Sequence, residues 1–73
     1  MFVTRVVCAR WLMIDDRFKI GGTLYRVQNL HTDRYNGRTE VIAYDITNPH
    51  SIVTASFNNN VRIKIYNLRP VKK

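Results

Sequence analysis

Leu24–Ile46, LYRVQNLHTDRYNGRTEVIAYDI, reads as one long β-hairpin turning at Asn36-Gly37. Asn-Gly between runs of high β-propensity is the strongest short-range hairpin signal, because both central residues of a type I′ turn take positive φ. A two-residue turn sets Tyr35 opposite Arg38, Asp33 opposite Glu40, His31 opposite Ile42, Asn29 opposite Tyr44 and Val27 opposite Ile46. One of these pairs is unfavourable. Facing carboxylates at Asp33 and Glu40 weaken a ladder by roughly a few tenths of a kcal/mol, unless Arg38, diagonal to Asp33, comes between them. The tip carries Arg34, Tyr35 and Arg38 outward and is the first place to look for function.

Along the first arm Tyr25, Val27 and Asn29 alternate with Leu24, Arg26, Gln28 and Leu30. The second arm, Val41–Ile46, is apolar at almost every position, which predicts a central strand of a closed barrel or of a sheet covered on both sides. Upstream, Gly21-Gly22 closes a short strand at Arg17–Ile20, and Asp15-Asp16 marks a turn before it. Phe2–Ala9 alternates as a strand does, but Val3, Val6, Val7, Arg10, Trp11 and Ile14 also fall at helical spacing, so residues 2–14 fit strand or helix equally. Downstream, Thr47-Asn48-Pro49-His50 reads as a turn and Ser51–Phe57 as a strand with Ile52 and Thr54 facing away from Val53, Ala55 and Phe57. Asn58-Asn59-Asn60 turns again. In Val61–Ile65 the period of two places Val61, Ile63 and Ile65 toward the core and Arg62, Lys64 and Tyr66 together on the outside.

This pattern predicts an all-β fold, a small five- to six-stranded SH3-like barrel with a long basic β-hairpin. Residues 1–12 are an N-terminal extension or extra strand or helix, 13–66 the barrel, and 67–73 a basic tail carrying Arg69, Lys72 and Lys73. A chain of 73 residues makes a single domain. No run approaches the roughly 20 apolar residues of a membrane helix, and Arg5 and Arg10 interrupt what a signal sequence would keep uncharged. The lone Cys8 rules out an internal disulfide and fits a reducing, cytoplasmic setting.

Twelve Lys and Arg against five Asp and Glu leave a formal net charge of +7. So strong an imbalance on so small a surface steers a protein toward polyanions, chiefly nucleic acid. Enzyme constellations are poor. Cys8 lies in an apolar run and reads as structural, and His31 and His50 have no further His or Cys at ligand spacing, so no metal site is expected. Gly21-Gly22 lacks the Lys-Ser/Thr of a phosphate loop, and no cofactor is implied. Trp11, beside Leu12 and Met13, reads as core or a lid. The nucleic-acid-binding candidates are therefore Arg34, Tyr35 and Arg38 at the tip with Arg62, Lys64 and Tyr66 on the outward strand face, cations for phosphates beside rings on which bases stack.

Three pieces, IGGTLYRV (20–27), VIAYDITNPHSIVTASF (41–57) and VRIKI (61–65), with the basic hairpin between the first two, resemble the N-terminal KOW-like, SH3-like barrel of translation elongation factor P and its eukaryotic and archaeal counterparts. The resemblance covers about three quarters of the chain and implies a barrel whose tip faces RNA. The chain departs from that family in two respects. The family presents a modified lysine at the tip, where Arg34 and Arg38 stand here, and the oligonucleotide-binding domains that follow in the family are missing. The expectation is thus a non-enzymatic module binding RNA or single-stranded DNA, with RNA favoured over DNA. The alternative is a protein-interaction or assembly module, such as a small viral structural or accessory protein, docking on an acidic protein surface or on its own copies.

Overall fold

The structure, a computed structural model, describes residues 3–67, with side chains for 4–66. The fold is all-β. Six strands, β1 (Val3–Cys8), β2 (Arg17–Ile20), β3 (Thr23–Asp33), β4 (Arg38–Asp45), β5 (Asn48–Asn58) and β6 (Arg62–Asn67), form one antiparallel sheet in the order β1-β6-β2-β3-β4-β5. A single 3₁₀ turn, Ala9–Trp11, leads out of β1. Of the two readings open for the N-terminal stretch, the strand is the one formed over residues 3–8, while Met1 and Phe2 and the tail from 68 lie outside the described residues. No helix among the described residues is long and apolar enough to cross a membrane.

The sheet curls without closing. Among the described residues β1 pairs with β6 and β5 with β4, so these two strands are free edges and the expected barrel is left open. Side chains complete the enclosure instead. Val7 from β1 and Val53 and Phe57 from β5 pack on one core built from Ala9, Leu12, Phe18, Val27, Val41, Ala43, Ile63 and Ile65. The Phe18 and Phe57 rings meet edge to face at 6.1 Å, joining β2 to β5 across the curl.

The hairpin at the centre forms with a different turn. Asp33 pairs with Arg38, Thr32 with Thr39, His31 with Glu40 and Asn29 with Ile42, so four residues, Arg34-Tyr35-Asn36-Gly37, make the connection. Only Gly37 among them has positive φ (68°). The Asp33 side chain decides this: Oδ1 accepts from the backbone N–H of Tyr35 (3.0 Å) and Asn36 (3.2 Å), and Oδ2 from the Asn36 amide (2.6 Å). Such a local carboxylate bridge stabilises an Asx turn in preference to the two-residue turn, and the adverse Asp33–Glu40 pairing disappears with it. The two-residue hairpin occurs at Gly21-Gly22, where both φ are positive (57° and 85°) and Ile20 pairs with Thr23.

Three further expectations are corrected. Gln28 is an extra residue between the Val27–Ala43 and Asn29–Ile42 pairs, a β-bulge that resets the alternation and lets both Val27 and Leu30 face the core. Strand β4 buries Thr39, Val41 and Ala43 but leaves Ile42 38% exposed, so only one of its faces is covered. Pro49 and His50 belong to β5 rather than to a turn, in a register irregularity between the Asp45–Asn48 and Tyr44–Ile52 pairs. An edge strand tolerates a proline because the missing N–H faces solvent.

Candidate functional site

Strand β6 is inserted between β1 and β2, and none of these three strands contains an Asp or Glu. Their cations are Arg5, Arg17, Lys19, Arg62 and Lys64, whereas all five acids of the chain fall between Asp15 and Asp45. Four of these acids are also locally engaged. Asp15 binds Arg26 (Nη2 to Oδ1, 2.9 Å), Asp16 accepts from the Met13 N–H, Asp33 holds the hairpin turn, and Asp45 accepts from Thr47. The net positive charge therefore concentrates on one half of the sheet.

The alternation of β6 puts Ile63 and Ile65 in the core and Arg62, Lys64 and Tyr66 on the other face, as read from the sequence. Val61 departs from that reading. It precedes the strand and is 42% exposed. Pairing of Phe18 with Ile65 places Lys19 beside β6, and its Nζ stands 4.9 Å from the centre of the Tyr66 ring, with the Lys64 Nζ at 5.6 Å. The electron-rich ring face holds two ammonium groups that would otherwise repel. Lys19 was missed from sequence, although its alternation with Phe18 in Arg17–Ile20 carried the signal.

Arg17 follows the same alternation and lies directly opposite Arg26 across β2 and β3. Like charges so placed are unfavourable. Arg26 is relieved by Asp15, whose hydrogen bond and charge raise the guanidinium pKa further. The Nε of Arg17 is buried and has no hydrogen-bond partner among the described residues.

The tip is tied to this half of the molecule through Asn59. Its N–H donates to the Gly37 carbonyl (2.8 Å), its Oδ1 accepts from the buried Thr39 hydroxyl (2.6 Å), and its carbonyl accepts from the Arg10 N–H (3.4 Å). Arg10 also donates from Nη1 to Asn60 Oδ1 (2.6 Å), and the Ala9 N–H donates to Val61. Hairpin tip, Asn58–Asn60 turn and 3₁₀ turn thus share one end of the sheet. The asparagines work there through side-chain acceptors, since none has positive φ.

At that end Arg34 and the fully exposed Tyr35 project as expected. Arg38 does not. Its Nε donates to the Ser56 hydroxyl (2.8 Å) and Nη2 to the Ser56 carbonyl (3.3 Å), which folds it back on β5. Trp11, expected in the core or as a lid, is 64% exposed, with the Arg10 guanidinium carbon 5.5 Å from its ring centre. The core position is taken by Ala9 and Leu12 instead, because the 3₁₀ turn rotates Trp11 away from them.

Cys8 is only half-buried, and no group of three or more His, Cys, Asp or Glu among the described residues could hold a metal ion. Comparison with family models, with characterised proteins and with solved structures gives no match for this chain.

Proposed function

We propose that the protein binds nucleic acid along β6, through Arg62, Lys64, Lys19 and Tyr66, with Arg34 and Tyr35 of the tip extending the contact at the shared end. The observation that carries this reading is the acid-free β1-β6-β2 half, where two lysines converge on one tyrosine ring. Cations held beside an aromatic ring meet both parts of a nucleotide, its phosphate and its base. The resemblance to the elongation factor barrel favours RNA over DNA. No catalytic step is part of this proposal, and a cytoplasmic setting is proposed with it.

The test is fluorescence anisotropy with a labelled single-stranded uridine oligonucleotide across a salt series. Three phosphate contacts, from Lys19, Arg62 and Lys64, give a slope of about −2 in log affinity against log salt, at about −0.7 per contact on a single strand. Joint reversal of these three charges to Glu is expected to abolish binding. Undiminished affinity in that variant, or no binding by the parent protein at low salt, refutes the proposal.

A second reading, a protein-interaction or assembly module, draws on exposed Met13 and Ile14 and on the free edges at β1 and β5. Sedimentation separates the two: an oligomer insensitive to salt favours assembly.

A further inference from the structure

Trp11, Val6, Val7, Cys8 and Arg62 line a groove beside β6, at the opposite end of that strand from Tyr66. We infer that this groove is a subsite for one unpaired base of a single-stranded nucleic acid, stacked on Trp11, with its phosphate on Arg62. The inference rests on the nucleic-acid reading above and extends it.

Four observations converge. First, Trp11 exposes an aromatic surface that the fold does not use, since Ala9 and Leu12 supply the core on either side of it. Second, the ring is held in place rather than loose: Arg10 lies over it and is itself anchored on Asn60 by a 2.6 Å hydrogen bond. Third, the groove is apolar along β1 and cationic at Arg62, and Cys8 and Arg62 are cross-strand partners. Fourth, Arg62 also borders a second groove, where Lys19, Lys64 and Tyr66 stand beside apolar residues such as Phe18 and Phe57, so one residue joins the two.

The chemistry of the rim selects the occupant. Arg10 and Arg62 flank the ring, and no acid occurs in β1, the 3₁₀ turn or β6, so a second copy of this cationic chain is repelled. A ligand carrying flat aromatic rings and negative charge in alternation fits, which is the covalent pattern of a nucleic acid strand. A duplex does not fit, because its bases are stacked on one another and unavailable to the ring. From Arg62 to Tyr66 a strand advances about 13 Å, so Trp11 and Tyr66 serve successive parts of one strand rather than one base.

Trp11 is the single tryptophan of the chain, so its emission reports on the subsite directly. Titration with a short uridine oligonucleotide is expected to quench it to saturation, and a duplex of the same length is expected to leave it unchanged. Trp11→Ala is expected to weaken oligonucleotide binding by about 5- to 150-fold, the effect of losing one stacked base, while Trp11→Phe keeps most of the affinity. Salt-sensitive binding without quenching, together with parent-like affinity of Trp11→Ala, overturns the subsite and leaves the basic-face reading intact. Loss of affinity in the Lys19, Arg62 and Lys64 reversal but not in Trp11→Ala has the same meaning. If no oligonucleotide binds at all, both fall.

Discussion

Replacing Thr39 with valine keeps the side-chain shape but deletes a hydroxyl that is wholly buried. That hydroxyl donates to Asn59 Oδ1 at 2.6 Å, and with its proton committed there it accepts from the Thr32 hydroxyl at 3.4 Å. A buried acceptor that loses its donor costs about 1–3 kcal/mol, and the half-buried Asn59 belongs at the lower end because water reaches it. The new methyl group offsets part of this, about 0.8 kcal/mol if fully buried. A net loss of about 0.2–1.2 kcal/mol follows, against a total of about 4–11 kcal/mol for a domain of this size. In a thermal melt followed by far-ultraviolet circular dichroism, the midpoint is expected to fall by about 1–10 °C. The same substitution on an Asn59→Ala background is expected to cost much less, since the pair is already broken. A Thr39→Val protein as stable as the parent, or an undiminished cost on that background, refutes the claim that this hydrogen bond joins the hairpin to the β5–β6 turn.

Gly37→Ala is expected to cost about 1–2 kcal/mol, because φ is +68° and nothing lies within 4 Å of the added carbon, so the cost is conformational; Gly37→Asn recovers part of it in urea unfolding. Phe18→Ala removes the largest fully buried side chain among the described residues and is expected to cost about 3–5 kcal/mol, read as a lowered midpoint in urea unfolding followed by circular dichroism. Hydrogen bonds from the Asn36 side chain and backbone hold the Asp33 carboxyl below its ordinary pKa, so its contribution is present above the ordinary aspartate value and fades as pH drops through the lowered one. Carboxyl chemical shifts measured through an acid titration are expected to show Asp33 titrating below the ordinary aspartate value, and Asp33→Asn is expected to lose its stability deficit at the acid end.

The strands were legible where side-chain period and burial agree. Ile63 and Ile65 against Arg62, Lys64 and Tyr66, or Ile52 and Thr54 against Val53, Ala55 and Phe57, follow from a pleated backbone with one covered face. Errors arose where a side chain competes with the backbone for hydrogen bonds. Asn36-Gly37 carries the composition of a two-residue turn, but the Asp33 carboxylate bonds the loop into four residues, and only the unfavourable Asp33–Glu40 pairing pointed to this. The bulge at Gln28 leaves no mark in composition. Sheet order was hidden as well, since nothing local says that β6 inserts between β1 and β2. For the same reason the candidate surface was legible only in part: Arg62, Lys64 and Tyr66 share a strand, whereas Lys19 and Trp11 reach it through contacts remote in sequence.

The placement of β6 also sets the order of assembly. Strands β2 to β5 pair with sequence neighbours through short connections, but β1 pairs with β6, and the Val3–Asn67 pair encloses all four strands between them. Closing so long a loop is entropically slow, so β1 is expected to pair after the meander of β2 to β5 has formed. Pulse-labelled hydrogen exchange is expected to protect amides of β3 and β4 ahead of those of β1, and simultaneous protection would show instead that the two ends meet at the outset.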